Sequence, residues 1–171
     1  MTLADAHIHF FRNGYRRPGL PSMLGDAETA VYDALRQLHG LTLALAIGYQ
    51  ADGIDPDNNA YIRGLAATRP WLRTLAYLPA DSGASAPALV MSAVAAGHSG
   101  AAIYVPDQRA AEALSAWPAA AWQALAAHRH VVSLNARPPA LALLRPLFAA
   151  HPAVTFLLSH LGLPGTVRPD I

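Results

Sequence analysis

An α/β fold built on parallel strands is predicted by three features of this 171-residue sequence. Six short apolar runs recur about one βα unit apart, helix-like segments with caps and stops lie between them, and the runs show little polar alternation. Leu41-Thr-Leu-Ala-Leu-Ala-Ile47, for example, is apolar almost throughout, as strands covered on both faces are. A doubly wound sheet and a (β/α) barrel both satisfy the pattern. No Gly-X-Gly-X-X-Gly follows the first run, where a dinucleotide fold would carry it. A long loop, Phe10 to Gly25, stands there instead and tilts the choice towards the barrel.

The first run, Leu3 to His9, ends in two histidines spaced i, i+2. In extended backbone His7 and His9 share a face while Ile8 points away, which suits adjacent positions on a metal ion. Asp26 is placed to cap a helix over Ala27 to Leu38, with Glu28 near its positive end and Gly40 as its stop. After the second run, Leu41 to Tyr49, either Asp55 or Asp57 can cap a helix reaching Thr68, with Pro70 beyond it. The third run is Leu72 to Leu78, and Pro87 suits the first turn of a helix over Ala88 to Ala96 that Gly97 ends. The fourth, Ala101 to Val105, leads into helices Gln108 to Ser115 and Ala119 to His128, broken at Pro118. The fifth is Val131 to Ala136. Pro139 then opens a helix to Ala150 that Pro146 should kink or break. The sixth, Val154 to Ser159, passes into the Gly/Pro-rich turn Leu161-Gly-Leu-Pro-Gly165.

A mass of 18.0 kDa suits a single domain over residues 1–171. Hydrophobic residues make up 53% and charged residues only 13%, yet no apolar run reaches the roughly 18 residues of a spanning helix. The first residues show neither the basic nor the apolar segment of a signal peptide. With no cysteine, disulfides, iron–sulfur clusters and thiolate metal sites are excluded, and a cytoplasmic location is expected. A net charge of +1 without a basic run argues against nucleic acid, and nothing argues for a membrane. Every basic residue is Arg. Schiff-base chemistry, a phosphate-loop lysine and a carboxylated-lysine bridge between two metals are therefore all excluded.

Chemistry in either fold gathers at the carboxyl ends of the strands. The polar residues there are His7 and His9, Tyr49 and Gln50, Tyr77, Tyr104 and Asp107, Asn135 and Arg137, and His160. The other five histidines fall at helix ends and in loops, where a solvated or capping role is expected. His160 falls at the same end of the sheet as the first pair. Three imidazoles, from His7, His9 and His160, would leave open positions for water or substrate, the arrangement of a catalytic metal.

Asp5-Ala-His-Ile-His-Phe-Phe11 together with Leu158-Ser-His-Leu-Gly-Leu-Pro164 resembles the amidohydrolase superfamily, and within it the sugar-lactone and pyrone or muconolactone hydrolase branch. The resemblance implies a (β/α)8 barrel with about six of its eight units present, and hydrolysis of a lactone or related carboxylic ester or amide. It implies one divalent metal, zinc or manganese, that some lactone-cleaving relatives hold weakly or not at all. By position, His7, His9 and His160 would be its ligands and the catalytic groups. Substrate contacts are expected from Arg137 as a carboxylate clamp, from Asn135, Tyr49, Tyr77 and Tyr104, and from Arg12, with Arg16 and Arg17 in the same loop. The partner is a small, carboxylated molecule, with homo-oligomers left open.

Two departures from the family pattern matter. Many members carry a histidine where Asn135 ends the fifth strand. A whole barrel needs roughly 250 residues, so the aspartate that follows the eighth strand in the family has no counterpart here and weak or no turnover is expected. Rival expectations are a nonoxidative decarboxylase or a metal phosphoesterase on the same barrel, and a noncatalytic fragment completed by a partner.

Overall fold

The computed structural model describes residues 3–15, 27–51 and 54–162, without the side chains of 161 and 162. Arg16, Arg17, the Asp26 cap and the turn beyond Gly162 lie outside the described residues. Among those described, six parallel strands alternate with helices, which is the pattern of a partial (β/α)8 barrel. The chain forms two compact units, Met1–Tyr77 and Leu78–Ile171. No helix among the described residues is long and apolar enough to cross a membrane.

In the first unit β1 (Leu3–Ile8), β2 (Leu41–Ile47) and β3 (Leu72–Tyr77) lie side by side in that order. Parallel neighbours cannot be joined by a tight turn, and α1 (Glu28–His39) and α2 (Asn58–Ala67) make the crossovers. Gly40 ends α1 at a φ of 64°, a left-handed conformation that costs glycine nothing because it has no Cβ. Phe10, Tyr32, Ala44, Ala46, Ile62 and Leu72 form the buried core. Tyr32 meets Phe10 edge-on at 5.2 Å and stacks on Trp71 at 5.9 Å, while its hydroxyl donates to Asp5 Oδ2 at 2.8 Å. Burial, then the bond to the Asp5 carboxylate, pushes the Tyr32 pKa far up, so this hydroxyl stays a donor.

The second unit holds β4 (Gly100–Val105), β5 (Val131–Ala136) and β6 (Thr155–Leu158), again in chain order. Around them are α3 (Ala86–Ala95), α4 (Gln108–Ser115), α5 (Ala119–Ala127), α6 (Pro138–Leu143) and α7 (Arg145–Ala150). Asp107 caps α4 by accepting the Ala110 N–H at 2.9 Å. The break expected from Pro146 occurs at Leu144, because a proline is accommodated in the first turn of a new helix and not in the interior of an old one. Trp122 is 1% exposed, packed against Trp117 at 5.4 Å and stacked on His151 at 5.1 Å.

His130 enters β5 only 8% exposed, its ring 6.0 Å from that of His128. Burial, and then the neighbouring His128, lowers its pKa. With the folded pKa below the unfolded one, the unfolded chain takes up the proton first. Stability from neutral His130 is therefore complete above the ordinary histidine range near ~6.5 and is lost as pH falls through the folded pKa. Thermal melts should show a lower Tm at about pH 5.5 than at about pH 7.5, and His130→Gln should flatten that slope. Identical slopes for the two proteins would dismiss this assignment.

Candidate active site at the carboxyl ends of the strands

The two histidines at the end of β1 meet. Their Nε2 atoms lie 3.1 Å apart, with ring centroids 4.8 Å apart and planes at 83°. Simple strand alternation is not the whole reason. Asp5 pairs with Ala44 but Ile8 pairs with Ala46, so β1 holds one residue more than β2 over this stretch, the count of a bulge, which re-aims the side chains beside it. Asp5 supports the irregular stretch by accepting the His7 N–H on Oδ1 at 3.0 Å, while its Oδ2 takes the Tyr32 hydroxyl.

His9 Nδ1 is 2.9 Å from the Ile47 carbonyl oxygen. A carbonyl only accepts, so Nδ1 carries the proton, and in the neutral ring the Nε2 lone pair faces His7. Two nitrogens bound at 2.0–2.1 Å to one ion and subtending 90–110° stand about 2.9–3.4 Å apart. The observed 3.1 Å therefore fits one edge of a coordination shell, and the Ile47 carbonyl supplies the outer hydrogen bond that metal-binding imidazoles usually have. Among the described residues no three His, Cys, Asp or Glu side chains gather into a metal-holding group.

An aromatic wall backs the pair. His9 stacks on Phe11 at 5.8 Å and meets Tyr49 edge-on at 5.5 Å, and Tyr15 packs on Phe11 at 5.3 Å. Glu28 Oε2 accepts the Phe11 N–H at 2.9 Å, and burial raises the pKa of that carboxyl against the opposing effect of the bond. Arg12 Nε binds Asp55 Oδ2 at 2.7 Å, and its guanidinium lies 5.1 Å over the Tyr61 ring. A substrate carboxylate would have to compete with Asp55 for it. Asp55 Oδ1 also accepts the Asp57 N–H at 2.8 Å, and Asp57 occupies the cap position of α2 without a side-chain cap bond.

Tyr77 ends β3, held at both backbone atoms by the Asn59 side chain. Sequence reasoning passed over Asn58, Asn59 and Gly48. Asparagine at a helix start reads as a generic cap, and only its partners, up to 48 residues away, show otherwise.

In the second unit Tyr104 and Asn135 are register partners on β4 and β5, so their side chains share a face, and Arg137 stands exposed at the start of α6. His160 sits in the turn Ser159–Gly162 after β6, exposed, at a φ of 52°. A left-handed φ is uncommon for a residue with a Cβ and costs about 1–2 kcal/mol. The turn is anchored by a buried hydrogen bond of 2.9 Å between the hydroxyls of Ser133 and Ser159, a pair that was not foreseen.

The sequence matches the amidohydrolase family model over residues 4–170. Among solved structures, an Acinetobacter baumannii protein named a probable 2-pyrone-4,6-dicarboxylic acid hydrolase aligns with a TM-score of 0.66 at 16% identity, over 95% of this chain and 59% of that one. The 5-carboxyvanillate decarboxylase LigW of Sphingomonas paucimobilis aligns with a TM-score of 0.65 at 14% identity, over 94% and 68%. A Pseudomonas putida protein given the same provisional pyrone-hydrolase name aligns at 0.59 and 18%, over 94% and 57%. The chain thus spans less than two thirds of the length of the two pyrone-hydrolase structures. Among curated proteins no sequence matches.

Proposed function

Because the chain belongs to the amidohydrolase family, we propose that His7 and His9 are two ligands of one divalent ion, zinc or manganese, in an enzyme that opens a carboxylated lactone. The 3.1 Å Nε2 separation, with His9 held in the Nδ1–H form by Ile47, carries this proposal. A bound ion would polarise the substrate carbonyl and lower the pKa of a water. His160 is proposed as a third ligand, its left-handed backbone being the kind of strain that functional turns retain. In the hydrolysis, water adds to the lactone carbonyl carbon, the ring C–O bond breaks, and the departing oxygen takes a proton. Arg137, exposed at the start of α6, would grip a substrate carboxylate; Asn135, Tyr104, Tyr77 and Tyr49 are proposed as further substrate contacts, and Arg12 as one if Asp55 releases it.

Nonoxidative decarboxylation is the second proposal, favoured by the fold it shares with LigW. There the bond from the ring carbon to the carboxylate breaks, carbon dioxide leaves, and the ring carbon takes the proton. One assay separates the two. With Zn2+ or Mn2+ present, a pyrone dicarboxylate should slowly lose its ring absorbance, in keeping with the weak turnover expected of this chain, and gain one carboxylate without releasing gas. Carbon dioxide from a carboxylated phenol, with the pyrone untouched, would replace hydrolysis by decarboxylation.

A further inference from the structure

The first two residues of α2 do something that helix caps do not. Asn58, 2% exposed, accepts the Tyr49 N–H on Oδ1 at 3.0 Å and donates from Nδ2 to the Phe10 carbonyl at 2.8 Å. Asn59 accepts the Tyr77 N–H at 2.7 Å and donates to the Tyr77 carbonyl at 3.0 Å. The amide orientations are fixed by the partners, since an N–H only donates and a carbonyl only accepts. Each carboxamide therefore supplies one donor and one acceptor where the ladder has run out: the last pairing of β2 with β3 is Ile47 to Leu75. Phe10 follows His9 directly, and Tyr49 packs on the His9 ring. One side chain thus ties the segment carrying His9 to the segment carrying its acceptor, Ile47.

We propose that Asn58 and Asn59 are positioning residues for the imidazole pair, their carboxamides acting as spare peptide groups that hold the ends of β1, β2 and β3 so that His9 Nε2 stays aimed at His7. The proposal rests on the metal assignment above, and it requires a side chain that donates and accepts at once. Asp offers acceptors alone, and Ala offers neither.

The test is 15N NMR of histidine-labelled protein without metal, paired with Zn2+ titration. Wild type should show His9 as a single Nδ1–H tautomer. Asn58→Ala should move His9 towards a tautomer average and weaken Zn2+ binding about 10–100-fold, the range for loss of outer-shell support. Asn58→Asp keeps the bond from Tyr49 but sets a carboxylate oxygen against the Phe10 carbonyl, so it should move the His9 signals at least as far as Asn58→Ala does. Ile62→Val, which loosens packing of the same helix, should lower Tm and leave the His9 signals in place. Unmoved His9 signals in folded Asn58→Ala overturn the proposal while the metal assignment stands. Failure of wild type to bind Zn2+ overturns the metal assignment, and the metal-free spectra still decide the positioning. If Asn58→Ala does not fold, hydrogen exchange in wild type decides: protected Tyr49 and Tyr77 amides support the clamps, and exchange at open-loop rates overturns them.

Discussion

His9→Ala should weaken Zn2+ binding by more than about 100-fold, beyond the 10–100-fold that follows loss of outer-shell groups. The substitution removes one of two nitrogens set 3.1 Å apart and frees the Ile47 carbonyl that had fixed the ring. Two ligands on one edge act as a unit, so His7→Ala should cost a similar factor and the double variant little more. An ion and a proton compete for the same Nε2 lone pairs, so affinity should fall as pH is lowered, and binding should release a proton where a ring starts out protonated. Calorimetric titration in two buffers of different ionisation enthalpy reads both quantities. His39, in the last turn of α1, is the control. If His39→Ala costs as much as His9→Ala, the pair is not a site.

The strands were legible because parallel strands buried on both faces leave uninterrupted apolar runs, and α4 coincides with its expected bounds because Asp107 is a side-chain cap with a local signature. The His pair was legible for a reason that proved incomplete. Spacing i, i+2 predicts a shared face, but the bulge opposite Ala44 and Ala46 adds to how the rings meet. What stayed hidden was long-range. Asn58 bonds to residues 9 and 48 positions away, Ser133 to Ser159, and Arg12 to Asp55. Periodicity and capping rules concern near neighbours and carry no trace of such pairs. The arginine loop shows the consequence: composition marks Arg12 as a carboxylate binder, and the fold gives it a carboxylate of its own.

Gly48→Ala should destabilise the protein by about 2–4 kcal/mol, the upper range for overpacking against groups that cannot move aside. Gly48 follows β2, its N–H donating to the Leu75 carbonyl at 2.8 Å. A Cβ there would meet Asn59 Oδ1 and the Tyr77 backbone nitrogen closer than real Cβ atoms come, and would lie 2.8 Å from Leu75 O. Two of these three obstacles are backbone, and the third is a side chain held by two hydrogen bonds of its own. Relief must come from the β2 end, and that movement carries the neighbouring Ile47 carbonyl off His9. Tm and Zn2+ affinity should therefore fall together. Gly64→Ala provides the opposite sign. That glycine is exposed inside α2, with nothing within 4 Å of the position a Cβ would take, so the change should stabilise by about 0.5–1 kcal/mol through helix propensity. In the Gly48→Ala background, Asn59→Ala should cost less than it does alone, because it removes one of the clashes. Denaturant melts of the four variants measure each difference. Equal shifts for Gly48→Ala and Gly64→Ala would mean that backbone freedom, and not the space beside Asn59, sets the need for glycine.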